Sequence, residues 1–276
     1  MLDSCKGFVL VELMMVMVTG IVLLGIVFEV YLGCERSLAL QAALMTIQDN
    51  AETAISILHS EIDRAGYIGC SLLTNDFPIA DSTDYSLSAV NRLTGTDSNQ
   101  ITVRYQAFPG AELLASMQGN TSMIVNNQVQ FSEGDILLIS DCSRAEIFQV
   151  AKVSRQHHVQ TIMPRVPLHY RYAANAELDR LEINRYFVAN TGRTDRDGSP
   201  MYSLYREDIH HVKSELVEGV SDMRILYSVY KAGAYTDVPA ASVTDWSQVK
   251  GVSIDLLVSG TQSKKTWHMY AIPQVH

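Results

Sequence analysis

From Phe8 to Phe28 the chain runs 21 residues in which Glu12 is the sole charged side chain. At 1.5 Å per helical residue this run reaches about 31 Å, enough to cross the hydrocarbon core of a bilayer. A cleavable secretory signal has a shorter apolar core followed by a small-residue cleavage site, so this run is expected to stay in the protein as a membrane span. Beyond it the pattern becomes one-sided. Leu40, Leu44, Ile47, Ala51, Ile55, Leu58 and Ile62 recur every three or four residues, the period of a helix with one apolar face. Asp49, Glu52, Glu61, Asp63 and Arg64 fall largely off that stripe, which predicts an amphipathic outer half whose apolar face packs on a globular body. The helix is expected to stop at Ala65-Gly66. Unbroken, it would be about 87 Å long, with Gly25 to Gly33 as the stretch where a break can fall.

Past Gly66 the apolar runs shorten and end in turn residues. Gln100 to Tyr105, Met123 to Phe131, Asp135 to Ile139, Ala145 to Val153 and Val159 to Met163 read as strands. So do Leu178 to Val188, Met201 to Tyr205, Met223 to Tyr230, Val249 to Val258 and Trp267 to Ile272. No long helical period lies between them. The expected architecture is α+β, with a long N-terminal helix, residues 8–66, packed on a mainly antiparallel β-sheet domain, residues 67–276. A chain of 276 residues fits one such body and one protruding element.

Composition narrows the function classes. A net charge of −9 and a pI near 5.3 argue against a surface that tracks phosphate backbones, so no direct nucleic-acid binding is expected. The four cysteines, Cys5, Cys34, Cys70 and Cys142, form no C-x-x-C pair and no zinc spacing. If the polar part of the chain is exported, a Cys70 to Cys142 disulfide is the expected pairing. Lys6 and Arg36 flank the span almost evenly. The disulfide therefore breaks the tie in orientation and leaves the short N-terminal segment in the cytoplasm.

A carboxylate as deep in an apolar helix as Glu12 costs on the order of 2.5 to 3.5 kcal/mol and calls for a partner. Its neighbours, Lys6-Gly7-Phe8-Val9-Leu10-Val11-Glu12-Leu13, resemble the signature of type IV pilins and type II secretion pseudopilins. The resemblance implies a leader, residues 1–7, cut after Gly7 by a prepilin peptidase that also methylates the new amino terminus, Phe8. It implies that Glu12 pairs with the amino terminus of a neighbouring subunit during assembly. Many major pilins carry a proline about where Glu29 stands, so local melting on assembly is not implied for this chain.

Asp63-Arg64-Ala65-Gly66-Tyr67-Ile68-Gly69-Cys70, Gly134-Asp135 through Ser140-Asp141-Cys142 with Ala145 and Phe148, and Tyr186-Phe187-Val188-Ala189-Asn190 are similar to minor pilins of the PilW type. That similarity implies a non-enzymatic subunit without a cofactor. Its implied partners are other minor pilins, the major pilin, the prepilin peptidase and the inner-membrane assembly platform. Its implied location is the inner membrane, with the C-terminal domain in the periplasm, and then the pilus at the cell surface. A type II secretion pseudopilin shares the same processing site, and a membrane-tethered periplasmic enzyme or binding domain is a further alternative.

Other motifs carry little. The pairs His157-His158 and His210-His211 read as strand neighbours pointing to opposite faces, so no metal clamp is expected. Asp195-Arg196-Asp197-Gly198 lacks the distal Glu of a calcium loop and reads as a turn. No nucleophile elbow, Walker loop or dinucleotide fingerprint is present.

Overall fold

The computed structural model describes residues 6–69, 73–195, 198–231, 233–260 and 263–273. Helix α1, Lys6–Asp63, is continuous over 58 residues, about 87 Å. Gly20, Gly25 and Gly33 lie within it without a break. A glycine costs a helix only about 1 kcal/mol, and the Leu, Met and Val around these three keep the ladder intact.

The first half of α1 is bare. Its large hydrophobics from Leu10 to Tyr31 are 54% to 70% exposed, and a window of mean hydropathy 2.5 makes α1 long and apolar enough to span a membrane. Burial begins at Ile47 and recurs at Ala51, Ala54, Leu58, Ile62 and Ala65. These side chains share one buried cluster with Ile225, Leu256, Met269 and other strand residues. Leu40 and Leu44, on the same stripe in sequence, remain 47% and 46% exposed. Periodicity marks the apolar face of a helix but not the point at which a neighbouring body begins to cover it.

Among the described residues fifteen strands follow. They are β1 Ile79–Asp81, β2 Leu93–Thr94, β3 Gln100–Gln106, β4 Ala111–Glu112, β5 Met123–Asn126, β6 Ile136–Ser140, β7 Ala145–Gln156 and β8 Val159–Pro164. Then come β9 Glu177–Thr194, β10 Pro200–Glu207, β11 Lys213–Glu218, β12 Val220–Lys231, β13 Ala234–Val238, β14 Val249–Gly260 and β15 Ser263–Ala271. An 11-stranded sheet has the path β11-β10-β9-β6-β7-β8-β5, with β1 to β4 added at its flanks, and a 4-stranded sheet has the order β13-β12-β14-β15. Every described pairing is antiparallel except β1 with β7. The fold is α+β.

The 18-residue β9 organises the larger sheet. Along one edge its start pairs with β4 and its middle with β3, while along the other its start pairs with β6 and its second half with β10. All ten runs expected as strands contain one. The run from Met123 ends as strand at Asn126, five residues short of Phe131, where a bend begins at Asn127. Five elements, β1, β2, β4, β11 and β13, lack a sequence signal, because they are short or largely exposed and owe their form to a partner strand.

Candidate assembly helix and the polar cluster at its foot

Lys6, Gly7 and Phe8 form the first turn of α1, and Glu12 stands exposed one turn further on. Met1 to Cys5, the rest of the expected leader, lie outside the described residues. Glu12 and Thr19 are seven residues apart, so they share one face of the helix. The Thr19 hydroxyl donates to the Met15 carbonyl at 2.9 Å and is satisfied within the helix. From Glu12 to the end of α1 the helix runs about 77 Å. The residues expected to act in processing and assembly are thus gathered at the far end of α1 from the sheets.

At the other end the chain turns sharply. Gly66 has φ +83° and Gly69 φ +79°, the left-handed region that glycine enters at no steric cost. The Gly66 N–H donates to the Arg104 carbonyl at 2.8 Å, and the Gln106 N–H donates to the Tyr67 carbonyl at 2.8 Å. The Ser140 hydroxyl donates to the Ile68 carbonyl at 2.6 Å. A Cβ on Gly69 would lie 2.8 Å from Ser140 Oγ and 2.7 Å from a Glu177 carboxylate oxygen. The segment 66–69 is therefore threaded between strands by its backbone.

Cys142 sits two residues beyond Ser140, in the β6–β7 turn, with φ 58°. It is disulfide-bonded, and its partner is outside the described residues, as is Cys70. Cys34 is a free thiol on the exposed part of α1.

Sequence reasoning missed one constellation at the foot of α1. Glu61, placed off the stripe by its charge, is only 8% exposed. The Tyr105 hydroxyl donates to its Oε2 at 2.8 Å, and the Glu61 charge also acts on the buried Tyr186 hydroxyl. Asn184 Nδ2 donates to the Tyr105 hydroxyl at 3.3 Å. Arg64 reaches Glu61 Oε1 at 3.5 Å and lies over the Tyr105 ring, 5.4 Å from its centroid. Burial, and then the Glu61 charge, push both tyrosine hydroxyls well above their usual pKa, so both stay protonated, and Tyr105 donates. A buried carboxylate is tolerable when its lone pairs are met in this way. The signal was present: Glu61 follows Leu58 by three residues, which puts it on the buried face.

The histidine pairs are not on strands. His157 and His158 form the β7–β8 turn, and His210 and His211 lie in the β10–β11 connection, His211 Nδ1 being 3.0 Å from Glu207 Oε1. Positive φ at His157 and His211 goes with those tight turns. Among the described residues no three His, Cys, Asp or Glu side chains are grouped to hold a metal. Gly198 N–H donates to the Asp195 carbonyl at 2.9 Å, a turn, while Arg196 and Asp197 lie outside the described residues. Comparison of the chain with protein families, curated proteins and solved structures finds no match.

Proposed function

We propose that this chain is a minor-pilin-like subunit that helps to initiate or tip a type IV pilus. It is cleaved after Gly7, methylated at Phe8, and built into the filament through α1. The observation that carries the proposal is the bare apolar half of α1 with Glu12 as its one charge before Glu29. A carboxylate in the hydrocarbon core costs on the order of 2.5 to 3.5 kcal/mol. An ammonium group at the amino terminus of a neighbouring subunit offsets that cost only when the two helices meet at one axial stagger. Glu12 then acts as the register key of assembly.

In this proposal the outer half of α1 is docked on the sheets, and the β-rich body lies in the periplasm before assembly and at the cell surface afterwards. The subunit contacts other minor pilins, the major pilin and the assembly platform, and it needs neither cofactor nor catalytic residue. The Cys70 to Cys142 disulfide ties the end of α1 to the β6–β7 turn. Ile68 already shares a hydrogen bond with Ser140 two residues away from each cysteine, which supports that pairing.

Intact-mass and N-terminal analysis of the protein from membranes of peptidase-competent and peptidase-deficient cells tests the proposal. The expected result is a start at methylated Phe8 in competent cells alone. A Met1 start in both strains, or a cut beyond the apolar run, would sink it.

A further inference from the structure

A groove of about 680 Å³ opens between the end of β15, the start of β14 and the connection before β2. Arg92, Lys250, Asn75, Tyr235, Tyr270 and Ile272 are among its lining residues. Tyr235 is 65% exposed and Tyr270 47% exposed, and Tyr230, 49% exposed, stands beside Tyr235 with ring centroids 5.1 Å apart. Three exposed tyrosines on one small sheet form an aromatic platform. Gly251 makes room for part of it, since a Cβ there would meet the Tyr270 ring at about its hydroxyl end, with Cζ only 2.6 Å away.

Arg92 forms one wall of the groove. It is half-buried, its stem crosses Gly66 so closely that a Cβ there would lie 2.8 Å from Cδ, and Nη2 donates to the Val249 carbonyl at a long 3.4 Å. Among the described residues no carboxylate lies within ion-pair distance of Arg92 or of Lys250. Burial lowers the Arg92 pKa with no acidic neighbour to oppose it. A guanidinium taken partly out of water in a chain of net charge −9 thus has no anion among the described residues, and a bound carboxylate would offset its desolvation cost.

We propose that this groove binds an acidic saccharide, whose carboxylate meets Arg92 and Lys250 and whose flat sugar face lies on Tyr235 and Tyr270. A pyranose ring presents one face of C–H groups that suits an aromatic surface, and its hydroxyls suit polar rims such as Asn75 and Ser247. Pockets of a few hundred Å³ with apolar walls and a few convergent polar groups are the usual form of small-ligand sites. A nucleic-acid strand also stacks on aromatics, but it needs a cationic track along its backbone. Two cations on an acidic protein do not supply one. The inference is independent of the role of α1 in a filament.

The test is isothermal titration of the full chain in detergent micelles with tetragalacturonate, with its full methyl ester, and with a decathymidylate. Saturable binding of tetragalacturonate but not of the ester is expected. Arg92→Gln and Tyr235→Ala should each weaken it about tenfold, the loss typical of one charge-assisted hydrogen bond or one stacked ring. Because Arg92 packs on Gly66, circular dichroism checks the fold of that variant, and Lys250→Gln, an exposed position, supplies the same test if it fails. No binding at millimolar tetragalacturonate, equal binding of the ester, or unchanged binding in the Lys250 and Tyr235 variants overturns the proposal. Tighter binding of the oligonucleotide overturns it in favour of a nucleic-acid strand.

Discussion

The Tyr105 hydroxyl on β3 donates to Glu61 Oε2 on α1 at 2.8 Å, joining residues 44 apart in sequence in a site from which water is largely excluded. Hydrogen bonds to charged groups contribute about 1.5 to 3 kcal/mol. Tyr105→Phe should lower the unfolding free energy of the full chain in detergent by that order. An unchanged urea midpoint would show that the pair is incidental. Glu61→Ala should cost more than Tyr105→Phe, because it leaves the buried Tyr105 hydroxyl without its acceptor and removes the carboxylate facing Arg64 as well.

Glu12 separates a register key from a tolerated charge. Glu12→Ala should leave cleavage after Gly7 intact, while the processed subunit fails to enter filaments. Fractionation of membranes and sheared pili reads both steps. A Glu12→Ala subunit recovered in pili at the wild-type level would refute the assigned role.

Gly69 and Gly134 both have positive φ, +79° and +90°, but a Cβ on Gly134 meets nothing within 4 Å. Gly134→Ala should cost only the backbone strain of about 1 kcal/mol. Gly69→Ala adds a clash with Ser140 and Glu177 and should cost on the order of 2 to 4 kcal/mol. Equal thermal midpoints for the two variants would contradict the close threading of segment 66–69.

A Cys70 to Cys142 bridge closes a loop of about 73 residues and in chain-entropy terms stabilises by roughly 4 kcal/mol. Non-reducing peptide mapping should recover the two cysteines in one linked species, and reduction should lower the melting temperature. A map that links Cys142 to Cys5 instead would rule the bridge out.

Asp179 on β9 is 3% exposed. Burial raises its pKa to about 6, against the opposing pull of the Arg180 N–H and guanidinium. A raised carboxylate favours the folded state while protonated. Its contribution is thus fully present below pH about 4, the unfolded value, and is lost as pH rises through about 6. Asp179→Asn should therefore stabilise the protein at pH 7.5, by on the order of 1 to 3 kcal/mol, and change little at pH 4. Parallel stability curves for the two proteins across this range would disprove the shift.

The long helix and the cores of the strands were legible because both rest on local periodicity. The run from Phe8 to Phe28 can satisfy its backbone only as a helix once in a bilayer, and runs such as Ile136–Ser140 are too short and too apolar to be much else than buried strand. No residue-level pattern marked β13, Ala234–Val238, which is almost wholly exposed and exists through pairing with β12. Leu40 and Leu44 show the same limit from the other side, since an apolar stripe does not record where its cover ends.

What the sequence alone determined was the division of the chain into an apolar span, an amphipathic continuation and a β-rich body, along with the lone Glu12, because each depends on neighbours within one or two helical turns or one strand. Tertiary structure alone decided that Glu61 is buried against Tyr105 and Tyr186, and that Arg92 and Tyr270, 178 positions apart by number, line one groove. Those relationships arise when strands distant in the chain are brought side by side. The burial they create, unlike periodicity, is a property of the whole packed body.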